Sequence, residues 1–149
     1  MSVADSLSYA VSLEVAVPAE EAYRYLSDLQ MLGRWALGCF STHATAREGL
    51  FKGTSLFDGQ EVWVRIETDP NRLLIDYHVG GPEKQSPRIS SRVIPGPHYG
   101  RSREHCIVTM TAWRTTDMAD TRWQRLCACH DAEIFLIQAQ LETRKATAG

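Results

Sequence analysis

Few side chains in this 149-residue chain carry reactive groups at positions where they would meet a bound molecule, and His130 is the first of them. An imidazole gains or loses a proton near neutral pH, so it can serve as acid, base or hydrogen-bond partner. His130 falls on the same three- and four-residue steps as Trp123, Leu126, Cys127, Ile134, Ile137 and Leu141, which puts it on the inner face of a helix. Two readings follow. His130 either touches a ligand or substrate, or is a core histidine satisfied by a hydrogen bond, the commoner fate of a lone inward histidine. The Tyr77 hydroxyl is a second candidate acid or base. Cys127-Ala-Cys129 is too tight for the usual zinc spacing and sends its thiols to different sides of a helix, so no metal is expected. The chain holds no Gly-rich phosphate loop, no G-x-S-x-G and no H-E-x-x-H. No cofactor is expected. No pair of inward carboxylates emerges, which argues against glycosidase-type acid–base work. Lys84, Arg88, Arg92, Arg101 and Arg103 cluster around Glu83. They suit an acidic ligand group, or else form a solvated sheet edge. His98 and Tyr99 in the same region either line an entrance or are solvated.

The helix that carries His130 runs from Thr116 to Ala146 without Pro or Gly. Thr115 or Thr116 can cap its start. Asp117 and Asp120 sit near its positive end, Arg144 and Lys145 near its negative end. Such a helix is roughly 40 Å long at 1.5 Å per residue and needs a broad apolar surface to lie against. The rest of the chain supplies strands. Residues 7–17 alternate, with Leu7, Tyr9, Val11, Leu13, Val15 and Val17 to one side. Pro18 ends this strand and suits the first position of a short helix whose inner face is Ala22, Tyr23 and Leu26. Ser27 or Asp28 can cap a second short helix carrying Leu29, Leu32 and Trp35, limited by Gly33 and Gly38. Beyond Cys39, turn signals at Glu48-Gly49, Asp58-Gly59, Asp69-Pro70-Asn71 and Gly80-Gly81-Pro82 separate strands near 39–47, 50–57, 60–68 and 73–79. Further strands fit 88–94 and 104–113.

Turn geometry predicts register. A two-residue turn at 58–59 pairs Phe57 with Gln60, Ser55 with Val62 and Gly53 with Val64. A two-residue turn at 48–49 and a four-residue turn at 69–72 extend the same face. That face then holds Phe40, Phe51, Phe57, Val62, Val64, Ile66, Leu73, Ile75, Tyr77 and Val79. The outer face pairs Arg65 with Asp76 and Trp63 with His78, and His43 also points outward. Thr42, Ala44, Gly53 and Ser55 are small residues in the middle of the inner face. They either admit a closely packed helix or leave room for a ligand. The inward set of the last strand stays open between Cys106, Val108, Met110 and His105, Ile107, Thr109.

Bulk properties agree with one domain over residues 1–149. The hydrophobic fraction is 44 % and the net charge −2, which gives no reason to expect nucleic acid or an anionic membrane as partner. The opening MSVADSLSYA has neither a basic region nor an apolar core, and no apolar run approaches the ~20 residues of a membrane span. A cytoplasmic protein with four free thiols, at Cys39, Cys106, Cys127 and Cys129, is expected.

The order of strand, two short helices, six strands and long C-terminal helix resembles the START-like or SRPBCC superfamily, the helix-grip fold of the birch-pollen allergen. The run VSLEVAVPAEEAYRYLSDLQMLGRW is similar to that superfamily's opening, with Pro18, Tyr23, Asp28 and Trp35 at the matching places. The resemblance implies an α+β fold in which about seven antiparallel strands curve around the long helix. It also implies a cavity between them that takes lipids, sterols, polyketides or other hydrophobic molecules. Polyketide cyclases and dehydratases form one branch, and activators of a heat-shock-protein ATPase another. The expected partner is therefore a small hydrophobic molecule. The expected wall is Trp35, Phe40, Phe57, Val64, Tyr77, Met110, Trp123, Cys127, His130 and Ile134, with Thr42, Ser55 and Ser91 as polar anchors. The alternative is a cyclase- or dehydratase-type enzyme with His130 or Tyr77 as acid or base. Trp63 on the outer face raises a homodimer contact as a third reading.

Overall fold

A computed structural model describes residues 5–148. The side chain of Lys145, expected near the negative end of the last helix, lies outside the described side chains. Seven strands are joined antiparallel into one curved sheet: β1 (Ser8–Val15), β2 (Phe40–Ala44), β3 (Phe51–Thr54), β4 (Glu61–Asp69), β5 (Leu74–Gly80), β6 (Gln85–Pro95) and β7 (Cys106–Trp113), in the order β1-β7-β6-β5-β4-β3-β2. Helices α1 (Ala19–Leu26) and α2 (Leu29–Leu32) follow β1, and α3 (Asp120–Ala148) closes the chain. The expected α+β helix-grip architecture is present. Among the described residues no helix is long and apolar enough to cross a membrane.

Local chemistry explains the helix boundaries. Pro18, with φ −60° and ψ 148°, is the cap of α1 and not its first residue. Asp28 caps α2 by accepting from the Gln30 amide at 3.0 Å. In α1 the buried ring is Tyr25; Tyr23 is only half-buried. Helix α3 starts at Asp120, four residues later than the sequence reading placed it. Thr115–Met118 forms a turn instead, closed by Met118 N–H on the Thr115 carbonyl, and Arg114 clamps the Met118 carbonyl and the Asp120 carboxylate.

Every predicted hairpin register is off by two residues, save at Phe40 where it is off by three, and almost every predicted face is right. Gly53 opposes Val62, not Val64, because the β3–β4 loop spans Leu56–Gly59 with Gly59 left-handed at its end. Val64 opposes Val79 and Ile66 opposes Tyr77. A two-residue slip keeps every side chain on its side of a sheet whose period is two. The slip overturns the predicted pairs on the outer face. Arg65 opposes His78, and Asp76 opposes Glu67, whose charge is met by Arg65 at 3.4 Å. Trp63 opposes Gly80 and lies beneath the Lys52 ammonium, 5.8 Å from its ring. On the last strand Cys106, Val108, Met110 and Ala112 face inward, fully buried.

Phe40 is the exception among the faces. Ser41 takes φ 56° and the β2–β3 register shifts by one residue there, so Phe40 opposes Thr54 and turns to solvent. Cys39 takes the inward place and packs on Gly53, where a Cβ would stand 2.9 Å from its sulfur. Ala44 is exposed as well.

Candidate functional site

A cavity of about 230 Å³ lies between the sheet and the N-terminal half of α3. Its floor is Val62, Val64, Tyr77, Val79 and Ile89 from β4, β5 and β6. Leu32, Trp35, Ala36 and Cys39 wall one end, and Ser55, Phe57, Asp58 and Gln60 of the β3–β4 loop form a rim. The roof belongs to α3: Arg122, Arg125, Leu126, Cys129, His130 and Glu133, with Arg88 of β6 across from it.

Of the sequence-derived wall, Trp35, Ser55, Phe57, Val64, Tyr77 and His130 line this space together. The other seven do not. Phe40 is on the solvent side. Thr42 holds α2: its hydroxyl donates to the Leu29 carbonyl and accepts from the Gly33 amide at 3.0 Å. Ser91 and Met110 are fully buried in the sheet. Trp123 and Cys127 pack with Ala112 in a separate cluster, and Ile134 sits in the main core. The reason is rotational. Helix α3 turns two adjacent stripes toward the rest of the protein, the first buried and the second open to solvent at Arg122 and Arg125. Trp123, Cys127, Ile134, Ile137 and Leu141 pack into the protein's two apolar clusters. Arg122, Arg125, Leu126, Cys129, His130 and Glu133, stepped by three or four residues beside the first stripe, roof the cavity. Apolar periodicity finds the first stripe and, of the second, only Leu126 and His130.

Glu133 is the most deeply buried charged residue that the sequence reading missed, beside Arg122, Arg125 and Cys129. It is 5 % exposed, and its Oε2 accepts from the Leu37 amide at 2.8 Å. The signal was its position three residues after an inward histidine, which places both on one face. His130 Nε2 stands 3.9 Å from Glu133 Oε1, beyond hydrogen-bond range. Burial raises the Glu133 carboxyl to about 8, opposed in part by the Leu37 amide. Burial likewise drives the His130 imidazole down to about 4. At neutral pH the two are a carboxylic acid and a neutral imidazole, not an ion pair.

The other candidate groups are less available. Tyr77 donates its hydroxyl proton to the Leu26 carbonyl at 2.7 Å, and burial pushes that hydroxyl well above its ordinary value. It meets the Trp35 ring edge-on, with centroids 6.0 Å apart. Burial raises the Cys39 thiol to about 11, so it carries no thiolate at neutral pH. Of the basic residues in the Lys84–Arg103 segment only Arg88 lines the cavity. Arg101 pairs with Glu14 at 3.2 Å, Tyr99 donates to the same carboxylate, and His98 is exposed.

Three lining side chains hold a buried polar atom with no partner among the described residues: Trp35 Nε1, Arg88 Nε and His130 Nδ1. A buried polar group without a partner costs roughly 1–3 kcal/mol. Two of these atoms are obligate donors, so they call for an acceptor oxygen.

No protein-family model and no curated protein matches this chain. Solved structures do. A START superfamily protein from Mycobacterium smegmatis superposes with a TM-score of 0.68 at 11 % identity, over 93 % of this chain and 99 % of that one. The Zhui aromatase/cyclase from Streptomyces sp. R1128 gives 0.67 at 16 % identity, over 95 % and 97 %. The Aha1 dimer from Colwellia psychrerythraea gives 0.64 at 15 % identity, over 92 % and 97 %. The fold is thus START-like, as the opening segment suggested.

Proposed function

We propose that this START-like protein binds a small molecule with a ring-sized apolar body and at least one acceptor oxygen, in the cavity between sheet and α3. The observation that carries the reading is the set of partnerless polar atoms on an otherwise largely apolar wall. A cavity of about 150 Å³ already accepts benzene. At about 230 Å³ this one has room for one or two fused rings. Val62, Val64 and Val79 would take the apolar body, and Trp35 Nε1 with His130 would meet the oxygen. The test is calorimetric titration with 2-naphthamide, a neutral bicyclic probe with one carbonyl. Binding with a negative heat-capacity change is expected, as apolar burial requires. Val79→Trp, which fills the space from the sheet side, should abolish it while leaving a cooperative thermal transition. Equal binding by that variant would move the ligand elsewhere.

A second reading is favoured by Glu133. A carboxyl that keeps its proton at neutral pH beside a neutral imidazole is the pair a dehydration needs. Glu133 would give its proton to a departing hydroxyl, His130 would take one from the adjacent carbon, and water would leave as the double bond forms. The aromatase/cyclase among the similar structures makes this the natural enzyme hypothesis. With a hydroxylated substrate of this class, His130→Ala should abolish turnover and only weaken binding. The wild-type rate should hold between about 4 and about 8, the two values burial imposes. Turnover unchanged in His130→Ala would remove the histidine from any mechanism.

A further inference from the structure

We infer that the mouth of the cavity is an anion subsite, so that the bound molecule is an amphiphile with its negative head group between Arg88, Arg122 and Arg125. This rests on the cavity reading above and adds the chemical class of what enters.

The three arginines come from two elements, Arg88 from β6 and Arg122 with Arg125 from the first turns of α3, and all line the same space. Elsewhere Arg47, Arg65, Arg72, Arg101 and Arg114 each pair with a carboxylate, while Arg24, Arg34, Arg92 and Arg103, which carry no such pair among the described residues, lie away from the cavity. Among the described residues none of the three at the mouth has such a pair. Arg88 is half-buried with its Nε partnerless. Burial and the charge of Arg122 both disfavour its protonated form, and Asp117 only partly offsets them. The carboxyls on the lining do not balance the cluster. Asp58 sits on the rim, and Glu133 is held neutral by burial. Positive charge is therefore concentrated at one opening of a protein whose net charge is −2. Like charges brought together are costly without a counter-charge, the more so for Arg88, which is also partly desolvated. A carboxylate or phosphate ester matches the fork of a guanidinium. The head group would sit at the arginines with the apolar body directed toward Val62, Val64 and Val79.

The experiment compares 2-naphthoate with 2-naphthamide, which share a ring system and differ in charge. At neutral pH and low salt, naphthoate should bind at least about tenfold more tightly, the scale of one charge-assisted contact. Added salt should weaken naphthoate and leave naphthamide unchanged. Arg88→Gln, and separately the double variant Arg122→Gln/Arg125→Gln, should bring naphthoate down toward naphthamide. In Arg122→Gln/Arg125→Gln, naphthamide binding should stay within about twofold, which also reports that this double variant is folded; for Arg88→Gln a cooperative thermal transition reports folding. Naphthoate no tighter than naphthamide, or a gap that survives both variants, overturns the anion subsite and leaves the cavity reading standing. Failure of both probes to bind the wild type overturns the cavity reading and the subsite with it.

Discussion

Glu133→Gln will gain stability over the wild type as pH rises from about 4.5 to about 8, by a few kcal/mol at the upper end. The carboxyl holds its proton more tightly folded than unfolded, about 8 against 4.5. Between those values the folded state binds more protons, so wild-type stability falls as pH rises. Each tenfold difference in proton affinity is worth about 1.4 kcal/mol. His130 acts in the opposite direction. Its folded value of about 4 lies below its ordinary 6.5, so stability rises with pH across that interval. The two slopes oppose each other up to about 6.5, and the loss due to Glu133 stands alone from there to about 8. Glutamine keeps the carbonyl that accepts from Leu37 and removes the ionisation. Urea unfolding of both proteins across this range measures the difference. A difference that does not change with pH would mean that Glu133 is ionised in the folded protein, and the neutral-acid mechanism would go with it.

Gly33→Ala will destabilise the protein by more than about 3 kcal/mol, a size reserved for a clash the fold cannot absorb. An alanine Cβ would stand 2.2 Å from the Thr42 amide nitrogen and 2.5 Å from its hydroxyl oxygen. The obstacle is backbone, held by Ser41 N–H on the Gly33 carbonyl at 2.8 Å. Relief requires moving α2 off β2. Leu32, Trp35 and Ala36 would move with it, so naphthamide binding should fall together with the melting temperature. Gly38→Ala is the control. Its Cβ would meet nothing within 4 Å, and stability should stay within about 1 kcal/mol of wild type. A Gly33→Ala protein as stable as that control would show that α2 is not pinned by this contact.

The helix-grip architecture was legible because it depends on patterns that survive local error. Alternation in β1 and the turn residues after Cys39 located the strands to within a few residues. The inner face of β3, β4 and β5 came out correctly although all three hairpins were misaligned, since an even slip leaves faces unchanged. Phe40 failed because the shift at Ser41 is odd. No residue type near position 41 announces a left-handed serine; its conformation answers to the need for Thr42 to reach α2.

The cavity was legible only in part. Apolar spacing located the stripe of α3 that packs into the core and captured His130 at its margin. It passed over Cys129 and Glu133, which read as part of an exposed polar flank, and over Arg122 and Arg125, which are exposed and line the cavity all the same. Whether a polar flank is solvated depends on what lies across from it, and periodicity carries no such information. The sequence by itself determined which segments become strands and helices and which sides of them are apolar, because those properties follow from local periods of two and 3.6 residues. Only the tertiary structure decided that Glu133 is buried. The Leu37 amide that receives its carboxyl belongs to a residue 96 positions earlier in the chain, and such a contact exists only once α2 and α3 have closed over the sheet.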